Sequence, residues 1–415
     1  MKYIVKGDRE LCGSVRIQGA KNSVLPILAA SILSNDKCEI HDCPDLSDVR
    51  YTMEILEAIG CSAAYENGTV TVDSSSAFNC EIPPHLMRQL RSSIVFLGAV
   101  TMKMGKARMS MPGGCPLGAR PIDLHLKALK ALGIKAREEA GFIETDASDA
   151  KCAHVHLAFP SVGATENTIL AAVKIKGESL ITNAAREPEI VDLCNFLNAM
   201  GAHITGSGTG TIHIEGVASL KGINYRIIPD RIAAATYMCI AMATGGEIEL
   251  ENVKRDHLTA ITNELRDEGA RVEFFGERGY IRAPGKIKSA AMIKTMPYPG
   301  FPTDAQSVFM PHLIKGDSTS VIVENIFENR FKIVPDLNLM GADIVTEGRS
   351  AIIRGPRQLS GAHVVAPDLR GGAALLIAAL SAKGESVIED EGHIARGYEN
   401  LVENIRSLGA DIRCE

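Results

Sequence analysis

Six glycines about 70 residues apart end six variants of one phrase: Leu56-Glu-Ala-Ile-Gly60, Leu129-Lys-Ala-Leu-Gly133, Leu197-Asn-Ala-Met-Gly201, Leu265-Arg-Asp-Glu-Gly269, Leu337-Asn-Leu-Met-Gly341 and Ile405-Arg-Ser-Leu-Gly409. Each reads as the last turn of an amphipathic helix that stops on a left-handed glycine, with a short alternating strand after it. A period of this length constrains the fold more than composition does, because each unit must bury its apolar face against its neighbours. A second series (Gly105, Gly177, Gly246, Gly316 and Gly384) closes alanine-rich helices with no polar face, such as Gly372-Ala-Ala-Leu-Leu-Ile-Ala-Ala-Leu-Ser-Ala-Lys-Gly384. The first repeat keeps the pattern over Leu25 to Leu33, with Ser34-Asn35-Asp36 as its turn.

Each unit therefore reads as strand, buried helix, strand, amphipathic helix, then strands. A helix apolar all round must be covered on most sides, so three units are expected to pack such helices together beneath their sheets. Six units give two bodies, with a hinge near Ile228-Pro229-Asp230-Arg231, and the strands before Gly19 are placed to close the far body. An open solenoid is the other architecture that small repeats allow. The mixed helix and strand content and the diversity of the loops favour closed bodies. A chain of 415 residues is also too long for one ordinary domain.

Composition excludes several functions. A net charge of −6 gives no basic field for nucleic acid, and the absence of tryptophan argues against base-stacking platforms. Ten cysteines without a CxxC pair match neither the usual zinc spacings nor a small disulfide scaffold. No apolar run reaches membrane-spanning length, and the first residues lack a signal-peptide core. The expectation is a cytoplasmic protein without metal.

The period sorts the loops into two series, and these carry the chemistry. Before the apolar helices stand Gly19-Ala-Lys21-Asn22, Leu90-Arg91-Ser-Ser93, Pro160-Ser161-Val162-Gly163-Ala-Thr165, Pro229-Asp-Arg231, Pro302-Thr303-Asp304 and Pro367-Asp-Leu-Arg370. Helix N-termini favour phosphate or carboxylate. Asn22, Ser161, Thr303 and Asp304 read equally well as N-caps, but a cation such as Lys21, Arg91 or Arg370 calls for an anion beside it. Before the amphipathic helices stand Pro44-Asp-Leu-Ser-Asp48, Ala185-Arg-Glu-Pro-Glu189, Asn252 to His257, Ile326-Phe-Glu-Asn-Arg330 and Ile394-Ala-Arg396-Gly-Tyr398. The most unusual is Pro112-Gly-Gly-Cys115-Pro-Leu-Gly-Ala-Arg120-Pro121-Ile122-Asp123, where glycine and proline shape a loop around one thiol. A thiol beside Arg120 is a candidate nucleophile or proton donor, although most cysteines are inert small hydrophobes. Asp304 is a candidate general base. Loops this different on one scaffold predict a composite site drawn from several repeats.

Gly19-Ala-Lys21-Asn22, Pro112-Gly-Gly-Cys115 with Arg120-Pro-Ile-Asp-Leu124-His125, Ala185-Arg-Glu-Pro-Glu-Ile-Val-Asp192, Phe301-Pro-Thr-Asp304, Ile326-Phe-Glu-Asn-Arg330 and Arg396-Gly-Tyr-Glu399 resemble, in order and along most of the chain, the enolpyruvyl transferase family. Within it the likeness is to the branch that acts on UDP-N-acetylglucosamine. The resemblance implies an α/β fold of two inside-out α/β barrels, each of three βαβαββ repeats, one formed by residues 1–20 and 230–415 and the other by 21–229. The implied reaction moves the enolpyruvyl group of phosphoenolpyruvate to the C3 hydroxyl of UDP-N-acetylglucosamine and releases phosphate, opening peptidoglycan synthesis and so serving cell-wall growth and division. In that family position Cys115 is the proton donor and the thiol that reacts with the epoxide fosfomycin. Asp304 is the base, and Lys21, Arg120 and Arg396 hold phosphoenolpyruvate, with Arg91 and Arg370 nearby. Asn22 positions the sugar, and the backbone of Ile326 touches it. Thr303 and Arg330 belong to the same binding set. Arg120, Pro121, Ile122, Asp123 and Leu124 line the uridine site, and Ser161, Val162 and Gly163 meet the diphosphate. No cofactor or metal is implied, and the protein is expected as a monomer or weak homo-oligomer.

The chain departs from the usual pattern at Pro116, Ala233, Ala235 and Ala395, none of which removes a catalytic group. Two other functions compete: the sister transfer to shikimate 3-phosphate on the same fold, and a weakly catalytic paralogue that binds UDP-sugars. The cysteine loop and the Arg120–Leu124 motif favour the nucleotide sugar as acceptor.

Overall fold

The computed structural model describes residues 1–113 and 122–415. They form two compact units: a terminal unit of residues 1–18 and 229–415, and a central unit within residues 19–228. Each has its own hydrophobic core.

Among the described residues, six four-stranded sheets share one strand order. In the first repeat Asn224–Arg226 runs parallel to Lys37–His41, which pairs antiparallel with Thr69–Asp73, which in turn pairs antiparallel with Ser62–Glu66. The register sets Tyr225 against Ile40 and Ile40 against Val70. Alternation makes the sheet one-sided: Val70 and Val72 are buried while Thr69, Thr71 and Asp73 are half-buried. One difference from the sequence reading is the source of the opening strand of the first repeat. Lys2–Lys6 and Cys12–Arg16 both pair within the terminal unit, and the opening strand of the first repeat comes from Asn224–Arg226 at the far end of the central unit. In the last repeat Lys2–Lys6 takes the inner position between Glu385–Glu389 and Asp411–Cys414, and the Lys2 and Glu415 backbones exchange hydrogen bonds of 2.8 and 2.9 Å.

The sheets surround the apolar helices. All fourteen residues of Arg231–Thr244 are buried, as are nearly all of Thr303–Leu313 and Leu369–Ser381, and these three helices pack on one another. In the central unit Phe96–Met104 packs on both Lys21–Ser31 and Val162–Ala172. The six glycines of the first series are all left-handed, with φ between 74° and 105°. The second series needs two corrections: Gly316 is not left-handed, and Gly246 is not the helix stop. The left-handed residue ending Arg231–Thr244 is Gly245 (φ 79°), whereas Gly246 is small because a Cβ there would lie 2.0 Å from the Leu11 carbonyl oxygen.

Gly201 has φ 105°, and a Cβ added there would meet open space, so only backbone strain opposes a side chain. Gly201→Ala is expected to destabilise the central unit by about 1–2 kcal/mol. Urea unfolding measures the loss, and hydrogen exchange should localise it to residues 19–228.

Candidate functional site

The sequence-predicted residues fall on the first turns of the helices. Lys21 and Asn22 open Lys21–Ser31, Arg91 opens the 3-10 turn Arg91–Val95, and Val162 and Gly163 open Val162–Ala172 behind Ser161. Asp123 and Leu124 open Asp123–Ala131, preceded by the buried Ile122. All of these belong to the central unit. The terminal unit carries Thr303 and Asp304 on Thr303–Leu313, Arg370 on Leu369–Ser381, and Ile326, Arg330 and Arg396 on the loops between. Cys115, Arg120 and Pro121, with Pro116, lie outside the described residues.

In the terminal unit four of the predicted residues form one network. Asp304 Oδ1 accepts a hydrogen bond from Arg330 Nη2 at 2.6 Å, and Oδ2 accepts one from Arg370 Nη2 at 3.2 Å. Both guanidinium side chains are almost fully enclosed (1% and 5% exposed), while the carboxylate keeps 29% of its side chain open. Burial alone would push this carboxyl up. The charges of Arg370 and then Arg330, and their hydrogen bonds, reverse that and hold it far below the usual carboxylate range. On Arg370, burial opposes the charge, and Asp304 followed by Tyr398 outweighs it. Arg370 Nη1 donates to Tyr398 Oη at 3.2 Å, and that hydroxyl meets Thr236 Oγ1 at 2.8 Å. Thr303 joins the network through Arg330 Nε, which donates to its hydroxyl at 3.3 Å. Arg396 ends the turn Ile394–Arg396, which packs on the helix carrying Arg370.

For two of these cations, Lys21 and Arg370, the anion that the sequence calls for is a carboxylate of the chain itself. Lys21 Nζ lies 2.6 Å from Asp48 Oδ2, with the pair 10% and 1% exposed, and Asp48 stands in the first turn of Ser47–Ile59 where a helix dipole favours it. Arg370 has Asp304, and Arg91 donates to the Pro112 carbonyl at 3.4 Å. The N-cap readings divide. Ser161 does cap its helix, accepting from the Ala164 amide at 3.4 Å. Thr303 and Asp304 do not, because the cap position is Pro302, and Asn22 likewise follows the cap at Ala20. Two other buried helices take their side-chain caps from Asp230 and Asp368.

The central unit brings the predicted uridine and diphosphate residues together through a pair that the sequence does not single out. Asn167 Oδ1 accepts from the Gly98 amide at 2.7 Å, so its Nδ2 faces the Ile94 carbonyl (3.0 Å) and His125 Nδ1 (2.9 Å). His125 Nδ1 is thereby the acceptor, and the ring carries its proton on Nε2. A Cβ on Gly163 would lie 2.9 Å from His125 Cε1, so only glycine lets the two first turns meet. Asp123 itself pairs with Lys127 at 3.1 Å. Deeper in the helix that Ser161 caps, burial followed by Glu189 and Glu187 pushes Glu166 up to about 8, leaving it protonated at neutral pH.

Other residues missed by the sequence reading are carboxylates with distant partners. Asp192 takes the Tyr225 hydroxyl at 2.6 Å, the Ile228 amide at 3.2 Å and the Ser23 hydroxyl. Glu324 accepts bonds from both Thr303 and the Ile326 amide. A glutamate ending an alternating strand normally reads as solvent-facing, and the only signal against that is the Asn-Ile-Phe turn after it.

The folded carboxyl of Asp304 titrates below the ~3.9 of an unfolded aspartate, so its stabilising contribution is complete above about pH 4 and is lost only as pH falls further. The stability difference between wild type and Asp304→Asn, from urea unfolding, should be constant from about pH 7 to 4.5 and shrink below about pH 4.

The sequence model of the family EPSP synthase (3-phosphoshikimate 1-carboxyvinyltransferase) matches residues 5–405. The chain is 48% identical over 411 residues to UDP-N-acetylglucosamine 1-carboxyvinyltransferase 2 of Caldanaerobacter subterraneus, covering 99% of both chains. It is 46% identical over 412 residues to UDP-N-acetylglucosamine 1-carboxyvinyltransferase of Halothermothrix orenii, again covering 99% of each. Among solved structures, the enolpyruvyl transferase NikO from Streptomyces tendae superposes with a TM-score of 0.90 at 26% identity, covering 99% of this chain and 98% of that one. An EPSP synthase from Acinetobacter baumannii shares the fold at 18% identity and a TM-score of 0.73, with full coverage of both chains. The chain belongs to the EPSP synthase, or enolpyruvyl transferase, family, among relatives that carry the name UDP-N-acetylglucosamine 1-carboxyvinyltransferase.

Proposed function

We propose that the protein transfers the enolpyruvyl group of phosphoenolpyruvate to the C3 hydroxyl of UDP-N-acetylglucosamine and releases phosphate, a step of peptidoglycan synthesis. The observation that carries this reading is the Asp304 carboxylate, fixed by two enclosed guanidiniums at the start of a buried helix, in a chain nearly half identical to relatives bearing that name. Nine unpaired thiols among the described residues suit a reducing cytoplasm, and no described helix is long and apolar enough to cross a membrane. The protein acts as a monomer or weak homo-oligomer.

In this reading the Cys115 thiol gives its proton to the methylene carbon of phosphoenolpyruvate, leaving an oxocarbenium-like carbon next to the carboxylate. The sugar hydroxyl attacks that carbon, and its proton passes to Asp304. A carboxylate held so acidic is a weak base towards a free hydroxyl. The attacking oxygen, however, becomes an oxonium as the new bond forms, and its proton is then acidic enough to leave even for this partner. The resulting ketal returns a proton from its methyl group to the Cys115 thiolate as its carbon–oxygen bond to phosphate breaks, and the departing phosphate takes the proton held by Asp304, which restores the double bond and both side chains. Lys21, Arg91, Arg120, Arg370 and Arg396 hold the phosphate and carboxylate. Arg370 keeps N–H groups beyond those on Asp304 and Tyr398. Asn22 and the Ile326 backbone seat the sugar, and Ile122 to Leu124 with Pro121 seat the uridine. Ser161, Val162 and Gly163 meet the diphosphate at a helix N-terminus. Thr303 and Arg330 act by fixing Asp304.

Phosphate should appear when the protein is given phosphoenolpyruvate and UDP-N-acetylglucosamine, and not with shikimate 3-phosphate. The reverse outcome assigns the sister reaction, and no release with either acceptor assigns a binding protein. Cys115→Ser should lower kcat by about 10²-fold or more at neutral pH and abolish fosfomycin labelling seen by intact mass. Asp304→Ala should bind UDP-N-acetylglucosamine in calorimetry yet lose turnover by a similar factor.

A further inference from the structure

Glu324 follows the strand Thr319–Val323 and is 1% exposed, and its two oxygens take four donors. Oε1 accepts from Thr295 Oγ1 at 2.9 Å, the Ile326 amide at 2.7 Å and the Phe327 amide at 3.0 Å, and Oε2 accepts from Thr303 Oγ1 at 2.9 Å. The Thr303 hydroxyl has a single proton, and Glu324 takes it. Its lone pair therefore faces Arg330 Nε, which donates to it at 3.3 Å. The same guanidinium places Nη2 on Asp304 at 2.6 Å. Arg330 thus donates in both directions, directly to Asp304 and through the Thr303 hydroxyl to Glu324, so one guanidinium and one hydroxyl link a fully enclosed carboxylate to the one that keeps an open side.

We propose that Glu324 is a positioning residue for the transfer: it orients Arg330, and through it Asp304, by holding the Thr303 hydroxyl as an acceptor, and it sets the Ile326–Phe327 turn by holding both amides. The inference rests on the function proposed above, in which Asp304 takes the hydroxyl proton and the Ile326 backbone meets the sugar. A buried acid needed only for stability would accept the same four donors, but its effect would not depend on which way the Thr303 proton points.

Glu324→Gln separates the two. The amide oxygen of glutamine still serves the Ile326 and Phe327 amides, so the turn and the packed volume stay. Its NH2 group faces Thr303, where a donor replaces an acceptor. The Thr303 hydroxyl then accepts from that NH2, its own proton loses the carboxylate that fixed its direction, and the hydrogen bond from Arg330 Nε is no longer anchored on an anion. The expected result is a kcat lower by about tenfold or more, with the KM for UDP-N-acetylglucosamine changed less than about twofold, because an interaction that matters at the transition state has been lost. Thr303→Val breaks the same link at its middle, so the double variant should be no slower than the slower single variant. Phosphate release by wild type, the two single variants and the double variant gives all four rates. A Glu324→Gln kcat equal to wild type, or losses that multiply in the double variant, overturns the proposal. If Glu324→Gln does not fold, Thr303→Val decides: a kcat lower by about tenfold at unchanged KM supports the relay and a wild-type kcat overturns it. A wild type that transfers nothing to UDP-N-acetylglucosamine overturns the function above instead, and is recognised before any variant is compared.

Discussion

A helix with no polar face has only one stable place, the middle of something, and this requirement organises both units. Arg231–Thr244, Thr303–Leu313 and Leu369–Ser381 are buried along nearly their whole length, so each needs neighbours on every side and the repeats must close around them. The amphipathic helices and one-sided sheets are the covering. Lys21, Asp304 and Arg370 then sit at the ends of the buried helices, where amides without helical partners favour anions. The same constraint that makes the core apolar places Lys21, Asp304 and Arg370 in first turns.

Charges at such positions are costly unless compensated, and the protein compensates them from within. Asp48 answers Lys21, and Asp304 lies between Arg330 and Arg370. Asp304 therefore remains an anion throughout the physiological range. In the proposed reaction it is then no ordinary base: it accepts a proton only as the partner's acidity changes, which ties proton transfer to bond formation rather than letting it precede.

Much of this is legible in the sequence, for physical reasons. A left-handed helix stop needs glycine, so the six glycines from Gly60 to Gly409 announce the repeat, and all six carry the positive φ expected. The position of Asp304 in a first turn follows from Phe301-Pro-Thr-Asp and the apolar run after it. Local patterns fail wherever the deciding partner is remote. Nothing in Gly19-Ala-Lys21-Asn22 announces Asp48, nothing in the strand before Glu324 announces four donors, and no turn signal announces that Asn224–Arg226 opens the sheet of the first repeat. Gly246 reads as the helix stop in place of Gly245 because two adjacent glycines look alike until a close backbone approach distinguishes them.

The pairing of strands far apart in sequence bears on how the chain acquires its structure as it is synthesised. The central unit draws every strand from one continuous stretch, so its three sheets can all be complete once Asn224–Arg226 has left the ribosome. The terminal unit cannot finish so early. Lys2–Lys6 precedes the whole central unit, yet its partners are Glu385–Glu389 and Asp411–Cys414, and Cys12–Arg16 must wait for Glu247–Glu251. Two unpaired strands therefore stay exposed while more than half of the chain is translated. Both are short, and Lys2, Lys6 and Arg16 place charge along them, as expected of edges that must not recruit the wrong neighbour.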